Sequence, residues 1–403
     1  MEHKKLAIGA LVFLLFAGVV SVSASAPDAS SAHGPGVPEF VQAVPDWLQA
    51  NSNGFGDPLT GEVTALETFN NYLYAGTHHP VNPALLYDGA RMFRSPDGVN
   101  WTAIGQPGFG VVGDTRPPAV LDLAVFNGRI YASTGRGNAA QIWRSLNGTT
   151  WAPMVETGFS DPNNHDITAL AVYDNKIYAG AANTDTGAQI WRSPSGDNNT
   201  WTQVAPAAPG SAPATITGFA VFDGALYAAV ESDAPAQIWR STSGDNNTWT
   251  AVVSDGFGNS NTTLIGGMAV FANNLYVGAG NTVNRAQLWR YDGVTWNPVS
   301  VQGLGDPNNQ KVEMVFVFQN QLYVSVKNTV AGIKLWRSPD GTSWERANLD
   351  GFGDSNNSGT NWSNATATFL CNLYVGTSNV VAGGELWATQ QRCAYIPLTV
   401  RSP

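Results

Sequence analysis

Residues 216–230 read ITGFAVFDGALYAAV, residues 237–241 read QIWRS, and residues 244–249 read GDNNTW. Two apolar runs joined by a tight Asp-Gly turn, followed by the short QIWRS segment and a Trp, are typical of four short strands linked by turns. The tyrosine of this pattern recurs about every 50 residues, at Tyr74, Tyr131, Tyr178, Tyr227, Tyr276, Tyr323 and Tyr374. The stretch is therefore one of seven copies of a repeat.

Repeats of this length predict an all-β fold, a seven-bladed β-propeller with four antiparallel strands per blade, because one twisted sheet must stack on neighbours to bury both faces. The strands of a repeat are named a to d in chain order. Small residues such as Gly218 and Ala220 agree with crowded innermost strands. We expect the repeated strand-c aromatics to fill the space between adjacent sheets and the arginines that follow most of them to make structural contacts; the aromatics are Phe93, Trp143, Trp191, Trp239, Trp289, Trp336 and Trp387.

The two ends of the chain differ from the repeats. Lys4 and Lys5 precede an apolar run at 6–20 and small residues up to Ala26, which predicts a signal peptide over 1–26 of the bacterial type and an extracellular location. Residues 27–44 are rich in Pro, Gly and Ser and predict a flexible linker. The propeller is assigned to 45–390 and a short C-terminal tail to 391–403.

A Trp opens strand d in six copies, but none follows Trp387 in the seventh. Trp47 precedes the sequence GFGD at 54–57 by the same distance that separates Trp344 from GFGD at 351–354. We therefore predict that the strand near Trp47 closes the last blade, which would remove an open sheet edge.

Cys371 and Cys393 are the two cysteines of the chain, and both fall in or after the last repeat. An even number of cysteines in an exported protein favours a disulfide. The expected strand directions bring both residues to the same end of the last blade. We predict a Cys371–Cys393 disulfide that contributes on the order of 3 kcal/mol to stability.

The formal net charge is −10, and only 12% of residues are charged. An acidic chain with no basic stripe argues against nucleic acid and anionic membranes as partners. A glycan or an extracellular protein remains as the expected partner of a monomer without membrane insertion.

The turns between strands c and d read SPDGVNW (95–101), SLNGTTW (145–151), DGVTW (292–296) and SPDGTSW (338–344). They resemble the Asp-box of the sialidase-like, or BNR-repeat, propellers. This resemblance implies a propeller whose boxes lie opposite the usual active site, in a superfamily of hydrolases, adhesins, sorting receptors and assembly factors. Sialidases of that family use three arginines on the substrate carboxylate. Most arginines here are the repeated ones, so a sialidase-like glycosidase is not favoured.

The loops between repeats carry acids that leave two interpretations open. Their side chains could ligate Ca²⁺ or form Asx-turns, and the turn interpretation is favoured because the regular calcium-loop pattern is missing. No cofactor is therefore predicted. The acids are Asp57, Asp161, Asp306 and Asp354.

Departures from the repeat indicate where a ligand would bind. The first copy has a longer loop with His78, His79 and Tyr87, and the last copy has a longer entry with Trp362. Ring closure would bring both to neighbouring parts of one face, the end of the ring where the inner strands begin, which we call the top face. We predict that these residues line a groove over the first and last blades that binds a neutral polysaccharide; the other interpretation of Trp362 is that it anchors its loop.

Three acids replace small or polar residues on inner strands, namely Glu67, Asp122 and Glu313. Paired carboxylates could perform glycosidic acid–base chemistry, but we favour solvated residues of the central channel. No catalytic Ser-His-Asp or Cys-His pattern occurs, and His165 stands alone.

The leading hypothesis is a secreted, non-enzymatic binding propeller that recognises a glycan, a cell-wall polymer or a protein through its top face. The alternatives are a carbohydrate-active hydrolase or lyase that uses the top-face acids, and an assembly or stability factor. Enzymatic activity is left open, with the balance against it.

Overall fold

The computed structural model describes residues 47–80, 88–112, 116–135, 137, 140–205, 214–281, 283, 285–300, 302–360 and 365–391. These residues form strands, short 3-10 turns and loops. No helix among them is long and apolar enough to cross a membrane. The predicted signal peptide, the linker and residues 392–403 of the tail lie outside the described residues.

The strands are short and follow the repeats. The first half contains β1 (Trp47–Gln49), β2 (Glu62–Phe69), β3 (Tyr72–His78), β4 (Met92–Ser95), β5 (Thr102–Ile104), β6 (Ala119–Phe126), β7 (Arg129–Gly135), β8 (Ile142–Ser145), β9 (Ala152–Val155), β10 (Asn164–Tyr173), β11 (Lys176–Asn183), β12 (Gln189–Ser193), β13 (Thr202–Ala205) and β14 (Ala214–Phe222). The second half contains β15 (Ala225–Ser232), β16 (Gln237–Ser241), β17 (Thr250–Val253), β18 (Leu264–Phe271), β19 (Asn274–Gly280), β20 (Gln287–Tyr291), β21 (Trp296–Pro298), β22 (Asn309–Phe318), β23 (Gln321–Asn328), β24 (Lys334–Ser338), β25 (Glu345–Arg346), β26 (Thr366–Phe369), β27 (Asn372–Gly376) and β28 (Leu386–Thr389).

The strands pair antiparallel in groups of four, which we call blades. Blades 1 to 6 are β2–β5, β6–β9, β10–β13, β14–β17, β18–β21 and β22–β25, and blade 7 is β26–β28 with β1. The end of one blade's second strand also pairs with the start of the next blade's first strand, as His78 does with Ala119 and Asn183 with Ala214. Each first strand is thereby fixed beside its predecessor.

The strand near Trp47 closes the last blade, as predicted. β1 pairs antiparallel with β28, with Trp47 opposite Thr389 and Gln49 opposite Trp387. An isolated bridge between Glu62 and Ser378 joins blade 1 to blade 7 in the same way that other neighbours are joined. The chain therefore forms a closed ring in which the first and last blades are adjacent.

Apolar cores lie between successive blades rather than inside one blade. Between blades 2 and 3, for example, Ile142 and Met154 pack in one cluster with Ile167 and Ile177. Between blades 7 and 1, Phe369 and Tyr374 share a cluster with Val63 and Phe93. Stacking of sheets removes both faces of each sheet from water, which is the main stabilising contribution in such a fold.

The strand-c aromatics fill the space between blades, which confirms their predicted structural role. Among the described residues, five of the seven stack on a phenylalanine from the turn that follows the preceding blade, whereas Trp336 shares its apolar cluster with Leu304 of that turn. The ring centroids of Phe159 and Trp191 lie 4.4 Å apart, with the rings 3° from parallel. That phenylalanine has φ of 63°, unusual for a bulky side chain, so the stacking holds a strained backbone in place. The other described pairs are Phe55–Phe93, Phe109–Trp143, Phe257–Trp289 and Phe352–Trp387.

The repeated arginines also make the structural contacts that the sequence predicts. Arg144 pairs with Asp197 and Arg192 with Asp245, so each guanidinium reaches the c–d turn of the following blade. Arg337 pairs instead with Glu345 on the adjacent strand. The two pairs that join neighbouring blades are half-exposed, so they orient the blades more than they add to stability.

Asp and Ser side chains hold the c–d turns together. The Ser95 hydroxyl accepts a hydrogen bond from the amide of Gly98 at 2.8 Å, and Asp97 Oδ1 accepts from the amides of Val99 and Asn100 at 3.0 and 2.8 Å. These bonds stabilise the charged carboxylate and place the pKa of Asp97 well below its usual value. The turn is therefore held together by its own Ser and Asp side chains.

The glycine of this turn packs against a buried tyrosine of the preceding blade. A Cβ on Gly148 would lie 1.8 Å from the Tyr74 hydroxyl, and φ there is +74°. The same contact joins Gly98 to Tyr374 and Gly341 to Tyr276. Gly and Tyr recur together in the repeat because one makes room for the other.

We expect Gly148→Ala to destabilise the protein more than Gly293→Ala. Both substitutions place alanine at positive φ, which costs about 1 kcal/mol, but a Cβ on Gly293 would meet nothing within 4 Å. The clash with Tyr74 should add roughly 1–3 kcal/mol at Gly148. Urea unfolding of both variants measures the difference in their free energies of unfolding. Equal losses of stability would show that Tyr74 can move aside without an energetic penalty.

Cys371 is disulfide-bonded and lies in the a–b turn of blade 7. Its predicted partner Cys393 lies outside the described residues. The Cys371–Cys393 pairing stays a prediction.

Candidate functional site

A cavity of about 310 Å³ opens on the top face over blades 3, 4 and 5. The starts of β10, β14 and β18 and the ends of β11 and β15 form its wall. Its polar lining includes His165, Asp166, Thr215, Glu231, Ser232 and Asp233. A concave site with a few converging polar groups, assembled from several elements, has the usual form of a small-ligand site.

His165 and Asp166 form an ion pair at the edge of this cavity. His165 Nδ1 lies 3.1 Å from Asp166 Oδ2. The hydrogen bond with Asp166 raises the pKa of His165, against an opposing contribution from partial burial. A β-bulge between Asn164 and Asp166 shifts the strand register at this point. The carboxylate also occupies the space above Gly135, where a Cβ would lie 2.3 Å from Asp166 Oδ1.

Glu231 connects three blades on the other side of the cavity. Its Oε2 lies 2.8 Å from Lys311 Nζ on β22 and accepts a hydrogen bond of 3.0 Å from the amide of Ile265 on β18. A carboxylate bound by an ammonium and a backbone amide is held in one orientation. The Glu231 carboxylate therefore lines the cavity in a fixed orientation.

Glu313 is a buried acid between β22 and the entry to blade 7. Its residue exposure is 2%, and neither carboxyl oxygen has a hydrogen-bond partner among the described residues. Burial raises its pKa to about 8, with Glu62 and Glu231 acting in the same direction and Lys327 and Lys311 opposing them. The carboxyl packs on Gly359, where a Cβ would lie 1.6 Å from Oε2. At neutral pH the group is mainly an uncharged carboxylic acid.

Asp122 is also buried, but its carboxylate is used to hold the backbone. Its two oxygens accept hydrogen bonds from the amides of Leu123 and Leu170, at 2.7 and 2.6 Å. Burial raises its pKa well above the ordinary value, and the charge of Glu67 adds to this effect. Glu67 is half-buried, and its own pKa is raised by burial while the amide of Thr68 donates to it.

The preference for solvated channel residues was therefore wrong for Asp122 and Glu313. The inner strands approach so closely that a carboxyl there is enclosed by neighbouring backbone. The cavity among these strands measures only about 70 Å³ beside Asp122, Leu170 and Met268. The charge of Glu67 acts on Asp122, whereas Glu313 responds to a different set of residues.

The first-repeat loop begins with a buried histidine. His79 is 2% exposed, with Nδ1 3.0 Å from Asp88 Oδ1 and Nε2 3.3 Å from Asp57 Oδ2. Arg91 Nη1 lies 2.8 Å from the same Asp57 oxygen. These contacts of the His79 ring anchor the start of the loop. His78, which is half-buried, is the last residue of β3. Tyr87 and Trp362, the other predicted ligand-binding residues, lie outside the described residues.

The acids considered as calcium ligands form turns. Asp57 Oδ1 accepts from the amide of Leu59, and Asp161 Oδ1 from the amide of Asn163. Side-chain donors bind the second oxygen; Asn183 Nδ2 donates to Asp161 at 2.8 Å. Asp306 and Asp354 repeat the arrangement with Asn328 and Asn379. In the described ranges, no group of three His, Cys, Asp or Glu side chains is placed to hold a metal ion.

Sequence reasoning missed the top-face cavity. No catalytic sequence pattern includes His165. Asp166 follows it directly, but neighbouring residues of a regular strand point to opposite faces, so the sequence does not indicate their contact. Glu231, Asp233 and Thr215 lie at strand ends that no repeat pattern distinguishes. The one available signal is the acid Glu231 near the end of strand b, where the corresponding residues of the first three repeats are His78, Gly135 and Ala182.

No protein family and no curated protein sequence matches this chain. Its fold is similar to that of the WD40 domain of Pan2 from Neurospora crassa, with a TM-score of 0.51 and 11% sequence identity. The match covers 88% of this chain and 99% of the Pan2 domain. It is also similar to a polysaccharide lyase, the PL25 ulvan lyase, with a TM-score of 0.50 and 9% identity over 85% of this chain and 96% of that one. At such identities the likeness concerns the fold alone. Together with the sheet topology, it shows that the chain is a β-propeller.

Proposed function

We propose that this chain is an exported seven-bladed propeller of the Asp-box type that binds a glycan through its top face without chemical turnover. The top-face cavity supports this proposal. Its volume of about 310 Å³ lies at the lower end of the range for small-ligand sites, roughly 300–1,000 Å³. Hydroxyls of Thr215 and Ser232 and the carboxylates of Glu231 and Asp233 can exchange hydrogen bonds with sugar hydroxyls.

The charge of the cavity narrows the ligand class. Three carboxylates, those of Asp166, Glu231 and Asp233, line the cavity. The Lys311 ammonium is already paired with Glu231, and the His165 ring with Asp166. An anionic polysaccharide would meet net repulsion there. Neutral and amine-bearing glycans therefore fit better than uronic or sulfated ones.

A glycan array and a hydrolysis screen on the same purified protein test this proposal. We expect neutral or amine-bearing glycans to be retained and released unchanged. Asp233→Asn should weaken binding about tenfold without loss of folding, because the side chain is exposed and lines the cavity. Asp185→Asn, on an exposed acid of the preceding blade outside the lining, is the matched control. Absence of retained glycans, or equal affinity of both variants, would contradict a top-face site.

A hydrolase or lyase is the second candidate, and one observation favours it. Glu313 has a pKa raised by burial and a second carboxyl, that of Glu231, acts on it, while Glu231 itself is paired with Lys311. A protonated carboxyl together with an ionised one is the usual acid and base of glycoside chemistry. Glu313 is buried, so substrate would reach it only after movement of the Gly359 segment. Product formation that disappears in both Glu313→Gln and Glu231→Gln would support this candidate over binding alone.

A further inference from the structure

Two cavities of similar size lie away from the top face, between the outer strands of neighbouring blades. The first, rim pocket 1, measures about 370 Å³ and lies between blades 2 and 3, where Phe159, Trp191 and Trp201 line it. The second, rim pocket 2, measures about 350 Å³ and lies between blades 4 and 5, where Phe257, Trp289 and Trp296 line it. The three aromatic residues occupy the same positions of their repeats, so the fold has built one kind of pocket twice.

The indoles of rim pocket 1 are partly accessible. Trp191 and Trp201 are both half-buried. Phe159 covers one face of Trp191 and meets Trp201 at 59° and 5.6 Å, so the three rings form a rigid floor. The Trp191 indole N–H donates to Gln189 at 2.9 Å and is satisfied within the protein. The Trp201 indole N–H is buried and makes no hydrogen bond with the described residues. Carbon atoms are therefore what the two indoles expose, as a surface for the C–H face of a sugar ring should.

Two asparagine side-chain amides lie beside the aromatic floor of rim pocket 1. Asn198 and Asn199 are exposed on the c–d turn of blade 3, and within the described residues neither side chain has a hydrogen-bond partner. Each amide offers both donors and an acceptor, which matches the donor and acceptor character of a sugar hydroxyl. The turn is two residues longer than that of blade 1, and the added residues supply this amide pair.

The charges at the two mouths are few and negative. Rim pocket 1 has Glu156 and rim pocket 2 has Asp255, and among the described residues no Lys or Arg lines either pocket. Asp255 accepts a hydrogen bond from the amide of Gly258 at 3.0 Å and is part of its turn. A phosphate, sulfate or uronate would find no cation here, so a neutral ligand fits.

We propose that the two rim pockets are binding sites for neutral saccharides, with the aromatic triad as the floor and, in rim pocket 1, Asn198 and Asn199 as the hydroxyl-binding groups. These sites are separate from the top-face cavity and do not depend on it. Rim pocket 2 has a shorter c–d turn without the amide pair, so its affinity should be lower. Two sites on one ring would bind a polymer with avidity beyond that of either site.

Titration calorimetry and indole fluorescence with cellotetraose, mannotetraose and chitotetraose test the proposal. We expect at least one of the three to bind with a stoichiometry above one and to change tryptophan emission. The double variant Asn198→Ala/Asn199→Gly should lose about tenfold in affinity at the tighter rim site. Glycine at 199 keeps the positive φ of 64° that Asn199 has, so the turn is preserved.

The matched control is Asn246→Ala/Asn247→Gly, in the same long turn of blade 4 and outside the lining of both rim pockets. It should bind like the unmodified protein. Failure of all three oligosaccharides at millimolar concentration, or equal affinity of the two double variants, would overturn the rim proposal. Asp233→Asn separates the two surfaces, because it should weaken only the top-face site. Binding lost in Asp233→Asn alone would contradict the rim pockets and leave the top-face proposal standing.

Discussion

Glu313→Gln should make the protein more stable at pH 8 by on the order of 4 kcal/mol, while its stability at pH 5 stays close to that of the unmodified chain. The carboxyl is 2% exposed and has a pKa of about 8, against 4.5 for an ordinary glutamate. The folded protein therefore holds a proton that the unfolded chain releases above pH 4.5. Each unit of pKa difference corresponds to about 1.4 kcal/mol. Stability of the unmodified chain consequently falls as pH rises from about 4.5 towards 8.

Urea unfolding from pH 5 to 8.5 measures this effect. Glutamine keeps the shape of the side chain but carries no charge at any pH. The free energy of unfolding of the variant should therefore fall much less as the pH rises. Asp122 has a raised pKa too and acts in the same direction, which leaves a residual slope. Glu156→Gln, at an exposed carboxyl, is the control and should follow the unmodified protein. Parallel curves for the Glu313 variant and the unmodified chain would refute a neutral buried acid.

Trp47→Ala should cost about 3 kcal/mol, because it removes the aromatic anchor of the strand that closes the ring. The indole meets Phe352 edge-on at 5.1 Å between ring centroids, and its N–H donates to the carbonyl of Ala347 at 2.5 Å. Its loss leaves that carbonyl unpaired and opens the core between blades 6 and 7.

Leu48→Ala provides the comparison for this effect. Leu48 lies on the same strand but is 56% exposed, so its truncation should cost under about 1 kcal/mol. Urea unfolding of the two variants gives the difference directly. Similar small losses for both would mean that β1 contributes little to closure of the ring.

The fold could be predicted from the sequence because each structural element recurs in several copies of the repeat. The a–b turns illustrate this: Asp223 and Gly224 both have positive φ, as do Asn127 and Gly128, in agreement with tight hairpins. Closure by Trp47 was predictable as well, because the missing seventh Trp had to be supplied from the other end. Periodic constraints of this kind leave little freedom for another topology.

The candidate site was harder to predict because it depends on departures from the repeat. Thr64 and Thr168 show what the Glu313 position does elsewhere: each hydroxyl donates to backbone carbonyls, including one in the next blade. The sequence shows that Glu313 replaces such a residue. It does not show that the carboxyl is enclosed against Gly359. The meeting of His165 with Asp166 depends on a bulge, which no pattern of alternating residues indicates.

The antiparallel pairing of β1 with β28 also determines how the ring would respond to mechanical force. Trp47 lies opposite Thr389, so the two ends of the propeller leave the pair at the same edge. Tension applied between attachments at these ends would load the ladder one hydrogen bond at a time, as in opening a zip, instead of shearing all of its bonds together. A propeller held at one end and pulled at the other would therefore open first at blade 7. Force spectroscopy should record a low opening force, followed by extension of the remaining blades.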